Sequence, residues 1–210
     1  MKKIGIIGFS SFTREIICNL KKKFDIFVSD EYYNQDTFHS TIPNIKKVYD
    51  CNVYKLSHFN TSCYDALVSL SNIDLRKEVV LSMPKSTSYY TYIDAYARIL
   101  DKNCIIGNGS IVCAGAIITS NVKIGNFSHL NLNTTIGHDT ITGSYFTTAP
   151  GVNVSGNCII GDSVFCGANS TIREKTKICN NVVLGLNTGV IKDITVSGVY
   201  TGTPCKKIIF

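Results

Sequence analysis

Aliphatic residues between Ile99 and Thr188 recur every six positions. That spacing fits neither the 3.6-residue period of a helix nor the alternation of a plain strand. Cut into sixes from Ile99, the stretch runs ILDKNC IIGNGS IVCAGA IITSNV KIGNFS HLNLNT TIGHDT ITGSYF TTAPGV NVSGNC IIGDSV FCGANS TIREKT KICNNV VLGLNT. The second position is Ile, Leu or Val in twelve of the fifteen blocks, from Leu100, Ile106 and Val112 to Leu184, with Thr142, Thr148 and Cys166 as the exceptions. The sixth is small or β-branched (Ser110, Ala116, Thr134, Thr140, Ser170, Thr188), and Gly often takes the third. The pattern predicts a solenoid of short strands, each placing one side chain in a continuous central stack. The blocks follow one another without an inserted residue, so uninterrupted coils are expected from Ile99 onward.

The N-terminal part has a different pattern. Lys3-Ile4-Gly5-Ile6-Ile7-Gly8 is an apolar run ending in glycine, as a buried parallel strand would. Phe9-Ser10-Ser11 predicts a turn, and Phe12 to Lys22 an amphipathic helix with Ile16, Ile17 and Leu20 inward. Asp25-Ile26-Phe27-Val28 reads as a second strand, followed by Ser29-Asp30-Glu31. This β–turn–α–β–acid order opens a Rossmann-like unit, although of the glycine fingerprint only Gly8 stands. Its glycine-and-serine turn suits a phosphate. Tyr32 to Cys63 is polar and predicts no element; Ala66 to Leu70 reads as a third strand, and Asn72 through Glu78 starts a helix. A Tyr- and Ser-rich linker, Ser86 to Tyr92, leads into the first coil near Ile93. The expected organisation is an α/β domain over residues 1–90 and an all-β domain with a C-terminal tail over 91–210.

Composition narrows the function. Nine cysteines are an odd count without a CxxC pair, and no signal peptide or long apolar run accompanies them. Cys104, Cys158, Cys166 and Cys179 occupy repeat positions that take a small apolar residue, which points to reduced packing residues in a cytoplasmic protein. No stretch has the length of a membrane helix. The net charge of +6 is dispersed apart from Lys21–Lys23. It suits small anionic ligands rather than nucleic acid, which asks for a basic stripe with aromatic partners.

The repeats, together with Gly8-Phe9-Ser10-Ser11, Asp30 and the stretch Ser69-Leu70-Ser71-Asn72-Ile73-Asp74-Leu75-Arg76, resemble the hexapeptide-repeat acyltransferases. The branch in question comprises the sialic-acid O-acetyltransferase-like proteins and the nucleotide 4-amino-sugar N-acetyltransferases. The resemblance implies a left-handed parallel β-helix with three hexads per coil, and a homotrimer with active sites between subunits. It also implies a nucleotide-sugar pocket to which Gly8, Ser10, Ser11, Asp30, Asn72 and Arg76 contribute. In the turn, Ser11-Phe12 replaces the Gly-His common in the branch.

Acyl transfer to an amine or hydroxyl needs a base beside the acceptor and donors for the developing oxyanion. Gly137-His138-Asp139 offers a histidine, the residue type suited to a base role, with a neighbouring acid to fix its tautomer. The fourth position of a hexad projects outward, away from the stack. By the resemblance His138 is the base, assisted by Asn131, seven residues before it, and Asp139. Thr147 stands where the branch often has a second histidine near the acetyl thioester. The segment Ala149 to Gly156 resembles the acetyl-CoA segment, with the Gly156 amide on the thioester oxygen and the Ala168 backbone on pantetheine. The tail Val199 to Lys207 would flank the adenine, with Lys206 and Lys207 at the CoA phosphates. His129, His39 and His58 are expected to be ordinary surface or packing residues.

The expected function is acetyl-CoA-dependent N-acetylation of a nucleotide-linked 4-amino sugar by direct transfer. No cysteine falls at the position a covalent acyl-enzyme would need. O-acetylation of a sugar such as a sialic acid and a non-catalytic nucleotide-sugar-binding trimer are the alternatives. A γ-class carbonic anhydrase needs three metal-binding histidines, which these four do not supply, so no metal is expected.

Overall fold

The computed structural model describes residues 2–208, and the chain divides after Tyr90 into two units. In the first, β1 (Lys3–Ile7), β2 (Phe24–Val28), β3 (Val53–Lys55) and β4 (Tyr64–Val68) form a parallel sheet ordered β3-β2-β1-β4. Ile6, Ile26 and Leu67 are fully buried in it, which is why these runs lack polar alternation.

Helix α1 (Ser11–Ile17) is shorter than the expected Phe12 to Lys22. The Asn19 and Leu20 N–H groups turn back to the Ile16 and Ile17 carbonyls, three residues behind, so the last turn tightens and stops before the three lysines. The stretch after β2 is not irregular: α2 (Asp30–Tyr33), α3 (Asp36–His39) and α4 (Ile42–Tyr49) lead into β3. Phe38, Ile42 and Ile45 pack there with Ile26, Val28 and Val53. Phe38 belongs to α3 and only Ile42 and Ile45 to α4, so no helical period stands out among the polar neighbours. β4 ends at Val68, two residues before the expected Leu70. Helix α5 (Ile73–Ser82) follows, its first turn capped by Asn72 Oδ1, which accepts from Leu75 N–H at 2.9 Å.

The second unit is a β-helix of two- to four-residue strands stacked in three sheets of five, six and eight strands, all parallel except the last, Lys206–Lys207. Paired strands are one coil apart, Ile106 beside Ile124 and Ile136 beside Val154. From Val112 to Leu184 every second-position residue is at most 4% exposed, including Thr142, Thr148 and Cys166. The sixth-position hydroxyls are buried too, and several are satisfied internally: Thr134 Oγ1 meets Thr148 Oγ1 at 2.8 Å, and Thr140 Oγ1 donates to the Ser155 carbonyl.

The fifth position makes the corners. From Asn121 to Asn187 its non-glycine residues have φ between 52° and 63°, and six of them are asparagine. Asparagine tolerates this left-handed conformation better than most residues. From Phe127 onward each of these N–H groups donates to a carbonyl one coil down, as Asp139 does to that of Ser120 (3.0 Å) and Asn157 to that of His138 (2.7 Å).

The first coil departs from the expected register. Leu100, assigned to the stack, is 55% exposed, and Ile99 takes its place beside Ile118. One extra residue therefore lies between Ile99 and Ile106, and strict six-residue register begins at Ile105. The Asp101 carboxylate closes the insertion, accepting from Asn103 N–H at 2.9 Å and Asn121 N–H at 3.1 Å.

Candidate active site

His138 and Asp139 occupy the turn between strands Thr135–Ile136 and Ile141–Thr142, at one corner of the β-helix. The His138 side chain is 58% exposed, so the fourth position does project outward. Its Nδ1 lies 2.8 Å from Asp139 Oδ2, and the other carboxylate oxygen accepts from Asn121 Nδ2 at 2.7 Å. The bonds from Asn121 and then His138 hold the Asp139 carboxyl below the usual carboxylate range. An ionised carboxylate only accepts, so Nδ1 carries the proton and Nε2 is left as the acceptor.

Gly156 sits one coil above His138 with the imidazole across it; a Cβ built there would lie 2.6 Å from Nε2. The glycine admits this close approach of a ring to the backbone. Among the described residues its N–H donates to no protein acceptor, whereas its carbonyl takes the Lys175 N–H at 3.0 Å. A basic ring nitrogen, a fixed carboxylate and an open backbone donor thus share one corner.

The other expected residues of this unit lie elsewhere on the single chain. Asn131 follows strand His129–Leu130 at the next corner, where its Oδ1 accepts from Leu132 N–H at 2.7 Å. Ala168 lies at that same corner two coils on. Thr147 is a buried strand residue of the eight-stranded sheet, and its hydroxyl donates to the Tyr145 carbonyl at 3.0 Å. Its strand neighbour His129 is 1% exposed, a packing residue, while His39 and His58 are on the surface. Lys206 and Lys207 form an exposed strand antiparallel to Gly198–Thr201, with the Lys207 side chain drawn across Gly198.

In the N-terminal unit the named residues gather at the carboxyl ends of the strands. Gly8 and Ser69 directly follow β1 and β4, neighbours at the point where the strand order reverses, and Asp30 opens α2 just after β2. Gly8 has φ +100°, open to glycine, and a Cβ there would meet Leu70 at 2.6 Å. Ser10 caps α1 with Thr13 in a reciprocal pair, and Ser11 accepts from Arg14. Asn72 caps α5, and Arg76 is fully buried, donating to the Leu70 carbonyl at 2.6 Å. Asp30 accepts from both the N–H and the hydroxyl of Ser57, which hold its carboxyl below the usual range. Several of these side chains therefore shape the loops through bonds within the protein.

Asn121 was not marked by any motif. Aligning the hexads in threes sets it directly before Asp139, and that alignment is the signal that finds it. Among the described residues no group of three His, Cys, Asp or Glu side chains is placed to hold a metal ion, and no helix is long and apolar enough to cross a membrane.

No family model matches the chain. In sequence it is similar to the GDP-perosamine N-acetyltransferase of Escherichia coli O157:H7, 25% identical over 177 residues that span 83% of this chain and 79% of that one. Its fold matches the acetyltransferase domain of PglB from Neisseria gonorrhoeae FA1090 in complex with acetyl coenzyme A, with a TM-score of 0.84 and 20% identity over 99% of both chains. It also matches PerB from Caulobacter crescentus in complex with CoA and GDP-perosamine, with a TM-score of 0.78 and 18% identity over 100% of this chain and 98% of that one.

Proposed function

We propose that this protein is an acetyl-CoA-dependent N-acetyltransferase acting on a nucleotide-linked 4-amino sugar, with His138 as general base. The observation that carries the reading is the Asp139–His138 pair lying across Gly156, on a β-helix that matches acetyltransferases crystallised with CoA. In the reaction the sugar amine attacks the thioester carbonyl carbon, and His138 Nε2 takes the amine proton. The Gly156 N–H donates to the developing oxyanion. As the tetrahedral intermediate collapses, the carbon–sulfur bond breaks and the thiolate leaves with the proton from the imidazolium.

His138, Asp139 and Gly156 sit at one corner of the β-helix and Asn131 and Ala168 at another, which supports a trimer. A second copy that brought its Asn131 and Ala168 corner to the His138 corner would reunite the set. In that assembly Asn131 orients the amine, Thr147 lines the acetyl site, Ala168 receives pantetheine, and Lys206 and Lys207 meet the CoA phosphates. The N-terminal unit, with its parallel order β3-β2-β1-β4, is read as Rossmann-like and the β-helix as left-handed. Gly8, Ser10, Ser11, Asp30, Asn72 and Arg76 form or shape the edge that takes the nucleotide sugar. Binding energy from the nucleotide positions the amine.

The test is to incubate the protein with acetyl-CoA and GDP-perosamine and analyse the sugar product by mass spectrometry before and after hydroxylamine. Gain of one acetyl group that survives hydroxylamine marks an amide and supports the reading. An acetyl removed by hydroxylamine marks an ester and O-acetylation, and no transfer to any sugar nucleotide favours a binding protein.

A further inference from the structure

We propose that Asn121 is a positioning residue for the His138–Asp139 pair, fixing the Asp139 carboxylate against Nδ1 through the hydrogen bond from its side-chain amide. The proposal rests on His138 being the base of the acetyl transfer. The His138–Asp139 contact is open to solvent, with the two side chains 58% and 46% exposed. Water competes for a pair in that setting, and a carboxylate held at one oxygen swings freely about the bond that carries it. Asn121 takes the second oxygen at 2.7 Å and removes that freedom.

The placement is built into the repeat. Asn121 and Asp139 hold the same turn position on successive coils, both left-handed at φ 53° and 58°, so their side chains leave the corner side by side. Asn121 is itself anchored in an unusual way. From Phe127 to Asn187 the fifth-position N–H groups donate to a backbone carbonyl one coil earlier, as those of Asp139, Asn157 and Lys175 do. That of Asn121 donates instead to the Asp101 carboxylate, at 3.1 Å. The residue inserted after Ile99 places that carboxylate there, so the irregular first coil forms the footing of an Asp101–Asn121–Asp139–His138 chain. On the coil before, the Ser120 carbonyl takes the Asp139 N–H; on the coil after, Gly156 lies against the ring and the Asn157 N–H donates to the His138 carbonyl. The repeat register sets Lys123 on the strand after Asn121, and Arg173, Glu174 and Lys175 two coils on from His138, where Arg173 Nε meets Glu174 at 3.4 Å.

Two variants test this. Asn121→Gly deletes the amide while keeping the left-handed turn, and Asn121→Asp puts a second carboxylate beside Asp139. Each is made with Asp139 intact and with Asp139→Asn, and is followed by the NMR titration of His138, by kcat and KM, and by Tm. In Asn121→Gly the imidazole midpoint is expected to fall, because the carboxylate meets Nδ1 less of the time. In the same variant kcat drops about tenfold with KM within about twofold. In Asn121→Asp the midpoint rises, and the acid limb of the kcat/KM profile rises with it. With Asp139→Asn in place, Asn121→Gly is expected to change neither readout, since the residue acts through that carboxylate. An unmoved midpoint in both variants, or an equal loss of kcat in both backgrounds, overturns the proposal. If Asn121→Gly lowers Tm sharply, the near-isosteric Asn121→Asp still gives the direction of the shift. The titration needs no substrate, so absence of turnover in the unmodified protein counts against the acetyltransferase reading and leaves the positioning test standing.

Discussion

Alanine at Gly156 puts a methyl group where the His138 ring already lies. The added Cβ would be 2.6 Å from Nε2, 2.7 Å from Cε1 and 2.9 Å from Cδ2, so one atom contacts three of the five ring atoms. Ordinary contact begins near 3.4 Å, and the ring must withdraw by about 0.8 Å. The backbone beneath cannot give way, because the Gly156 carbonyl and the Asn157 N–H are tied to Lys175 and His138. The side chain therefore turns about its own bonds, at a cost of roughly 1 kcal/mol for an off-rotamer imidazole. That costs only a few degrees of Tm, since the ring is on the surface. Catalysis is affected far more: a misplacement of about 1 Å at the reacting group costs on the order of a hundredfold. Steady-state kinetics on Gly156→Ala are thus expected to show kcat down about a hundredfold with the fold intact by circular dichroism. A variant with full kcat and the original Tm would refute the account, since the ring could not then be working from its place against Gly156.

Leu130, fully buried in the central stack, gives a cavity on Leu130→Ala that is expected to cost about 2–5 kcal/mol in urea denaturation. Asn181, exposed at φ 56°, should accept glycine with little change in Tm, whereas Asn181→Val is expected to cost about 1–2 kcal/mol for forcing a β-branched residue into that conformation. In the N-terminal unit burial pushes the Asp25 carboxyl up, but bonds from Asn52 N–H, Tyr64 and Lys3 outweigh it and leave the group below its ordinary range. A depressed folded value adds stability that is present above the unfolded carboxylate's range and is lost as pH falls through the folded value. Thermal melts are therefore expected to show that contribution declining below about pH 4, with Asp25→Asn removing the dependence.

The β-helix was legible because every coil repeats the same demand: one apolar residue inward, one small residue beside it, one left-handed corner. Its first coil was not, since Leu100 satisfies the six-residue frame as well as Ile99 does, and only the exposure of Leu100 and the Asp101 turn reveal the insertion. In the N-terminal unit the strands stood out as apolar runs, but α4 and β3 rely on Ile42, Ile45 and Val53 among polar neighbours, too sparse to mark a period. At the site, His138 and Asp139 were readable because they are adjacent in sequence. The Asn121 contact spans eighteen residues and follows only once the coil length is known. Arg76 shows the limit of a motif: a guanidinium that reads as a ligand group is wholly buried and donates to the loop carbonyls of Leu70 and Ser71.

The central claim is that His138 is the base, and replacing it is the most direct test. Thiol release from acetyl-CoA with GDP-perosamine as acceptor should be followed for the unmodified protein and for His138→Ala. Because the ring is exposed, the variant is expected to keep its Tm and its KM for both substrates while kcat falls by about 10²–10⁴-fold. Turnover that survives in His138→Ala would contradict the account and move the search for the base away from this corner.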